Sequence, residues 1–137
     1  MVCARSFQAA VGCVNAERAA LIWSRPSSGN DAVSVDETHV VGADASDRVT
    51  AWRLGSGEVA WSTERLLHRD LSAPASVGAG IVFGDVEGVV HLLARNDGRT
   101  LARLTTDGAP VIAQPARAGS TLLVVTRSGG LHAIRIE

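Results

Sequence analysis

The chain has 137 residues, of which 13 are basic and 14 acidic, so its formal net charge is −1. This balance argues against a nucleic-acid-binding protein that relies on a basic surface. Hydrophobic residues make up 46% of the chain and charged residues 20%, which excludes a disordered tail, and no apolar run approaches the roughly 20 residues of a membrane-spanning helix.

The first predicted elements are two strands, over residues 2–6 and 9–15, that form a hairpin around Gln8. Such a hairpin places Cys3 opposite Cys13, where the two cysteines could form a disulfide. The other interpretation, which we favour, is a pair of small buried residues, because free cysteine is among the most buried residue types. Two cysteines alone do not make a zinc site.

The start of the chain does not have the pattern of a secretory signal, which needs an apolar stretch of about 7 to 15 residues. Residues 10–13 (AVGC) resemble a lipoprotein cleavage box, but Arg5, Ser6 and Gln8 interrupt the apolar stretch that should precede it. We therefore expect neither a signal nor a lipobox in this chain.

A repeat organises the rest of the sequence. Val49, Val90 and Leu131 are successively 41 residues apart, and Trp23 precedes Trp61 by 38 residues in an earlier copy. Within each copy, apolar and polar residues alternate as in half-buried strands, and glycine-containing turns separate the strands. Four short antiparallel strands in about 40 to 50 residues are typical of a β-propeller blade.

We predict an all-β chain: one β-propeller fragment over residues 1–137, with about three and a half four-stranded antiparallel blades. The blades are predicted over residues 1–25, 31–62, 73–105 and 111–137. We expect the first blade to lack its innermost strand and the last to lack its outermost strand. Short inner strands are predicted over residues 32–35, 73–77 and 111–116. The two end faces should be exposed and apolar, so we expect the chain to aggregate, to self-associate as a homo-oligomer through these faces, or to pack on another protein.

The aromatic and histidine residues are interpreted from their positions in the repeat. Trp23 and Trp61 are equivalent, so we interpret them as packing anchors between blades rather than as part of a ligand platform with Trp52. His91 and His132 are also equivalent. With no cysteine or carboxylate partner evident for them, we interpret both as polar-face strand residues and expect no metal site.

Four acidic residues cluster at equivalent turns: Asp44, Asp47, Asp85 and Glu87. We interpret them as caps of the turn backbone. An acidic rim that binds a partner is the alternative, and calcium binding or acid–base chemistry is less favoured.

An irregular loop predicted over residues 64–70 is the best candidate for a partner contact, because loops on a rigid scaffold often carry function. The predicted partner-binding set consists of Arg65, His68 and Arg69 in this loop, with Asp85 and Glu87 in a neighbouring turn. No nucleophile elbow, zinc-protease motif or phosphate-binding loop is present. We therefore predict no enzyme activity, no catalytic residues and no cofactor.

Two groups of motifs carry a family resemblance. Residues 41–61 and 81–102 are similar to the repeat of pyrroloquinoline-quinone-type propellers, with Ala102 where a tryptophan is expected, which predicts looser packing there. Residues 46–51 (SDRVTA), 66–69 (LLHR) and 82–88 (VFGDVEG) resemble the C-terminal third of the BamB family of outer-membrane assembly lipoproteins. The resemblance covers nearly the whole chain and is weakest over residues 1–37.

This resemblance implies an eight-bladed propeller that a lipid anchor, absent from this chain, holds at the periplasmic face of the outer membrane. The implied function is that of a non-enzymatic interaction subunit of the β-barrel assembly machinery, which helps outer-membrane proteins to assemble and insert. The implied partners are the periplasmic domains of the central barrel subunit and unfolded outer-membrane proteins, with no nucleic acid. The alternatives are a fragment of a pyrroloquinoline-quinone-dependent dehydrogenase and a short self-assembling propeller-repeat protein.

Overall fold

The structure is a computed structural model that describes residues 1–135, and no helix occurs among these residues. Four antiparallel sheets, called blades 1 to 4, follow one another along the chain. Blade 1 contains β1 (Val2–Ser6), β2 (Ala10–Asn15) and β3 (Ala20–Pro26), and blade 2 contains β4 (Ser34–Val35), β5 (His39–Ala43), β6 (Val49–Arg53) and β7 (Val59–Thr63). Blade 3 contains β8 (Ala75–Val77), β9 (Gly80–Gly84), β10 (Val89–Ala94) and β11 (Thr100–Thr105), and blade 4 contains β12 (Ala116–Ala118), β13 (Thr121–Val125) and β14 (Leu131–Arg135).

The strands of each blade pair in chain order, and the first strands β4, β8 and β12 approach one another on the inner side. The repeat positions Val49, Val90 and Leu131 lie at the start of the third strand of blades 2, 3 and 4. Val11, which is 38 residues before Val49 and so holds the matching position of the first copy, lies in the second strand of blade 1. Blade 1 therefore lacks the innermost strand, and blade 4 lacks the outermost strand among residues 1–135. The predicted fragment of three and a half blades is confirmed.

The inner strands are shorter than predicted. β4 and β8 each begin two residues later than predicted. The third inner strand, β12, begins at residue 116, which is the last residue of its predicted range. Val111, at the start of that predicted range, forms an isolated β-bridge with Thr126 and is not part of a strand. Pro115 has no N–H to donate and directly precedes β12, as Pro74 directly precedes β8.

A repeated tryptophan–glycine contact joins neighbouring blades. Trp61 on β7 packs on the turn glycine Gly98 of blade 3, where an added Cβ would lie 2.4 Å from the indole ring. The Trp61 indole N–H also donates a hydrogen bond to the carbonyl of Arg95, at 2.6 Å. Trp23 of blade 1 packs in the same way on Gly57 of blade 2. The interpretation of both tryptophans as packing anchors is confirmed.

The third copy of this contact is missing, as predicted, because Ala102 occupies the tryptophan position. A cavity of about 290 Å³ lies there, lined mainly by apolar side chains that include Val90, Leu92, Leu104 and Ile134. The packing between blades 3 and 4 is therefore looser than between blades 2 and 3.

Both end faces of the arc expose apolar side chains, as predicted. On blade 1, Val2, Val14 and Leu21 form one cross-strand row, and Leu21 is 67% exposed. On blade 4, Val125 and Leu131 are paired across β13 and β14, and Leu131 is 65% exposed. Self-association through these faces stays a prediction, which the mass of the purified chain in light scattering would test.

A disulfide joins Cys3 and Cys13 across the first hairpin, so the favoured expectation of two free core residues is wrong. The predicted register is present: the two residues face each other across β1 and β2, with their Cα atoms 4.0 Å apart. Cys13 is fully buried against blade 2 in a cluster with Val11, Trp23 and Val40. The pair is therefore a cross-link and part of the core at the same time.

Replacement of both cysteines by alanine should lower the free energy of unfolding by about 2 to 3 kcal/mol, because the open chain regains the entropy of a short closed loop. Urea unfolding of the oxidised chain and of the variant measures this difference. Reduction of the parent chain should bring its midpoint to that of the variant. Equal midpoints for the variant and the oxidised parent chain would show that the cross-link does not stabilise the fold.

Candidate functional site

The segment over residues 64–71, called the bridging segment, connects β7 to β8 and lies across the interface of blades 2 and 3. It has no regular secondary structure, which confirms the loop predicted over residues 64–70. The amide of His68 donates to the carbonyl of Ser46 in blade 2, at 3.2 Å. On the other side, the amide of Val86 in blade 3 donates to the carbonyl of Arg69, at 3.1 Å. The segment is therefore attached to the turns of two blades.

Asp47 fixes the end of the bridging segment rather than capping its own turn. Its carboxylate accepts hydrogen bonds from the amides of Asp70 and Leu71, at 3.0 and 3.2 Å. Leu66 and Leu71 are buried in the core between blades 2 and 3. Between them, His68 and Asp70 have left-handed backbone conformations, with φ of 62° and 50°. Such conformations are costly for residues other than glycine, so the surrounding contacts must hold them.

Asp85 is the centre of a buried polar network at the turn between β9 and β10. Its Oδ1 accepts hydrogen bonds from the amides of Glu87 and Val89, both at 2.9 Å, which confirms its predicted role as a turn cap. Its Oδ2 lies 2.8 Å from Nε2 of His91 and 3.5 Å from a guanidinium nitrogen of Arg69. The side chains of Asp85 and His91 are both fully buried.

The interpretation of His91 as a polar-face residue without a carboxylate partner is wrong. His91 lies inside the interface of blades 2 and 3 and bonds to Asp85. The error has a physical cause: an inner blade is covered on both faces, so the alternation of apolar and polar residues does not mark a wet face.

The protonation states of this pair follow from burial and hydrogen bonding. Burial lowers the pKa of His91, which outweighs the attraction of Asp85. Burial alone would raise the pKa of Asp85, but hydrogen bonds from the His91 ring and from the Val89 and Glu87 amides hold the pKa below its usual value. His91 is thus neutral beside a charged carboxylate, and its proton lies on Nε2, because the carboxylate can only accept.

We expect acid to destabilise the chain in two stages between about pH 7 and about pH 3. The pKa of His91 in the folded chain lies below its ordinary value of 6.5. As the pH drops below 6.5, this histidine therefore binds a proton in the unfolded chain before it does so in the folded chain, and the free energy of unfolding falls. The pKa of Asp85 is below 3.8, so its contribution is lost at still lower pH. Urea midpoints measured across this range test the expectation, and His91→Gln should remove only the upper stage. A midpoint that stays constant from about pH 7 to about pH 5 would contradict it.

A related cluster lies between blades 3 and 4, around Asp107. Thr126 and Ser128 donate hydrogen bonds to Asp107 Oδ2, both at 2.7 Å, and Nε2 of His132 lies 3.8 Å from the same atom. The hydrogen bonds from Ser128, Thr126 and the Ala109 amide lower the pKa of Asp107 to about 2. Both equivalent histidines therefore lie near a carboxylate. The two carboxylates belong to different parts of the repeat, because Asp85 is in a turn within a blade and Asp107 is in a loop between blades. The interpretation of His132 as a residue without such a neighbour is wrong, because Asp107 approaches it from the loop that precedes blade 4, a contact that the repeat pattern does not mark.

Sequence reasoning missed two charged contacts at these interfaces. The Asp-Gly pair at residues 107–108 indicates a turn, but it does not indicate that Asp107 contacts blade 4. The second contact joins blades 2 and 3, where Arg95 forms an ion pair with Asp36, at 2.8 Å. This pair borders a cavity of about 750 Å³ on the inner side of blades 2 to 4. No short-range pattern links two residues so far apart in the chain.

The five predicted partner-binding residues lie at one end of blades 2 and 3, but they differ in accessibility. Arg65, His68 and Glu87 are exposed, whereas Arg69 is half-buried against Asp85, which is inaccessible. Asp44 caps its own turn by accepting from the amides of residues 46 and 48, as predicted. The role of the five residues in partner binding stays a prediction.

Among residues 1–135, no group of three or more histidine, cysteine or acidic residues is placed to hold a metal ion. The same part of the chain contains no helix that is long and apolar enough to cross a membrane.

Comparison with known proteins agrees with the arrangement of blades. A family model described as "Outer membrane protein assembly factor BamB" matches residues 1–63, which include the region of weakest sequence resemblance. The protein of that name from Burkholderia pseudomallei is 39% identical over 133 residues, which are 97% of this chain and 35% of that protein. The resemblance to the BamB family is confirmed. The protein of the same name from Bordetella pertussis is 33% identical over 98% of this chain and 35% of its own length.

The fold comparison is with a crystal structure of BamB from Moraxella catarrhalis. It superposes with a TM-score of 0.90 over 98% of this chain and 40% of that one, at 22% identity. At this identity the match concerns the fold, and it confirms the β-propeller blades. The chain spans about a third of the length of the two curated BamB relatives.

Proposed function

We propose that this chain is part of an assembly factor for outer-membrane proteins and that it acts by presenting surfaces to partners, without catalysis. The curated relatives from Burkholderia pseudomallei and Bordetella pertussis carry the name of such a factor and match nearly all of this chain. The described residues are strands, turns and short loops, and contacts such as the ion pair of Asp36 with Arg95 join neighbouring blades. Such an architecture suits recognition, because it holds loops on a rigid frame.

The observation that carries the proposal is the way in which the bridging segment is held. It is attached to blade 2 through Ser46 and Asp47 and to blade 3 through Val86. Arg65 and His68 are exposed on it, and Glu87 is exposed on the adjoining turn. A backbone that is held in place and presents exposed polar and charged side chains binds a partner at a low cost in backbone conformational entropy. Arg69 and Asp85 then support this surface from below.

The proposed partner is the set of periplasmic domains of the central subunit of the barrel-assembly machinery. The proposed location is the periplasmic face of the outer membrane, with a lipid anchor on the complete protein. The disulfide between Cys3 and Cys13 supports this location, because disulfides form and persist in oxidising compartments such as the periplasm.

Unfolded outer-membrane proteins are proposed as a second class of partner that would add a strand at a blade edge. Among the strands of residues 1–135, none pairs with the outer side of β11, the outermost strand of blade 3. Leu101 and Leu104 on β11 are 46% and 42% exposed. Backbone groups at such an edge are free to pair with an extended chain.

A binding experiment tests the charged surface directly. The chain is titrated with the purified periplasmic domains of the central subunit, and the triple variant Arg65→Ala, His68→Ala, Glu87→Ala is compared with it. We expect the triple variant to bind at least about tenfold more weakly, because these side chains lie at the centre of the proposed contact.

The matched control carries Glu58→Ala and Arg99→Ala, which remove one charge of each sign from exposed turns between the last two strands of blades 2 and 3. This control should bind like the parent chain. Equal losses in both variants, or no binding by the parent chain, would overturn the proposed surface.

A further inference from the structure

The contacts around His91 combine into a device that responds to protons. Asp85 Oδ2 is shared by two donors from different elements: the buried His91 on β10, at 2.8 Å, and the half-buried Arg69 on the bridging segment, at 3.5 Å. Nδ1 of His91 is buried and has no hydrogen-bond partner within residues 1–135. Neutral His91 tolerates this position, because Nδ1 then carries only a lone pair.

A second proton on His91 changes this balance. The new Nδ1–H would be a buried donor without an acceptor, which costs more when the group is charged. Arg69 and Arg103 are the other cationic groups facing the ring, and both disfavour a further positive charge. Blade 2 contributes Asp47 to the same end of the interface, but its carboxylate is engaged by the amides of Asp70 and Leu71.

We propose that His91, Asp85 and Arg69 form a proton-operated latch that releases residues 67–70 of the bridging segment when His91 becomes an imidazolium. The imidazolium keeps the closer and buried contact with Asp85, and Arg69 gives up the longer contact. Water then reaches Nδ1 in place of the displaced segment. The one covalent change is the protonation of Nδ1 of His91 by a proton from solvent.

The bridging segment is built for a local opening of this kind. Leu66 and Leu71 are buried and anchor its ends, with 3% and 6% of their surface exposed. Between them, His68 and Asp70 hold left-handed backbone conformations that relax when the segment is released. Release breaks the hydrogen bonds from the Val86 and Asp70 amides, so these two amides report on the latch.

Amide hydrogen exchange of the full chain, followed by NMR, tests the proposal. After correction for intrinsic exchange, the Val86 and Asp70 amides should open about tenfold more often at about pH 5.5 than at about pH 7.5, while the amides of β9 stay protected. His91→Gln can still donate to Asp85 but does not titrate, so its exchange should not depend on pH. His68→Gln removes the exposed histidine of the same segment and should keep the pH response.

Direct titration of the His91 ring in the same spectra provides a second measurement if the His91→Gln variant does not fold. Opening at Val86 should rise in the pH range in which His91 takes up its proton. The proposal is overturned if His91 titrates without a change at Val86, or if His68→Gln abolishes the response. No partner is used in this experiment, so its failure is distinguishable from failure of the proposed function.

Discussion

Trp61→Ala should lower the free energy of unfolding by about 3 to 5 kcal/mol, the usual cost of removing a large buried aromatic side chain. Trp61 is 8% exposed and lies in the core shared by blades 2 and 3. Its ring fills the space above Gly98, and its indole N–H bonds to the carbonyl of Arg95. Its loss therefore opens a cavity and leaves a carbonyl without its partner. Urea unfolding of the variant and the parent chain measures the effect.

Two controls separate the ring from its surroundings. Trp61→Phe keeps most of the apolar ring and loses the hydrogen bond, so it should cost less than Trp61→Ala. Gly98→Ala should be disruptive, because its Cβ would lie 2.4 Å from the indole at a φ of +76°, whereas Gly55→Ala has no atom within 4 Å of the added Cβ. A cost below about 1 kcal/mol for Trp61→Ala would mean that this contact does not hold the blades together.

Asp85→Ala should cost about 3 kcal/mol or more, because it removes the charged acceptor from a buried network. The variant leaves the amides of Glu87 and Val89 and the Nε2–H of His91 without an acceptor. It also removes the anion that holds Arg69. Both the turn and the bridging segment should therefore loosen, which thermal and urea unfolding would record.

The repeat supplies a matched control for Asp85→Ala. Asp44 occupies the equivalent position in blade 2 and caps its turn through the amides of Ser46 and Arg48, at 2.9 and 3.0 Å. Among residues 1–135 Asp44 forms no ion pair with a histidine or an arginine, and it is only partly buried. Asp44→Ala should therefore cost about 1 kcal/mol. Similar costs for the two variants would contradict the central role of the buried network.

The repeated features of the fold could be predicted from the sequence, because each recurs at a fixed spacing. The spacing of Val49, Val90 and Leu131 was enough to place the third strands of the blades, and the match of Trp23 to Trp61 was enough to identify the packing anchors. Asp44 and Asp85 could be predicted as caps because an aspartate in a tight turn bonds to the amides that follow it.

The remaining features depend on particular side-chain contacts, within a blade or between blades, which a repeat pattern does not encode. His91 and His132 are equivalent in sequence, but the carboxylate near His91 comes from its own turn, whereas the one near His132 comes from the preceding loop. The ion pair between Asp36 and Arg95 likewise joins two blades. The register of the first hairpin could be predicted, but facing cysteines are compatible both with a disulfide and with two free buried thiols, so the sequence did not decide between them.

The most direct test of the repeated arrangement of blades is a set of proton–proton distances across the interfaces. Nuclear Overhauser contacts should appear between the Trp61 ring and the Gly98 α-protons, and between the Trp23 ring and the Gly57 α-protons. Both pairs should be seen in the same folded sample, since the two interfaces are copies of each other. Absence of both contacts in a folded chain would contradict the account.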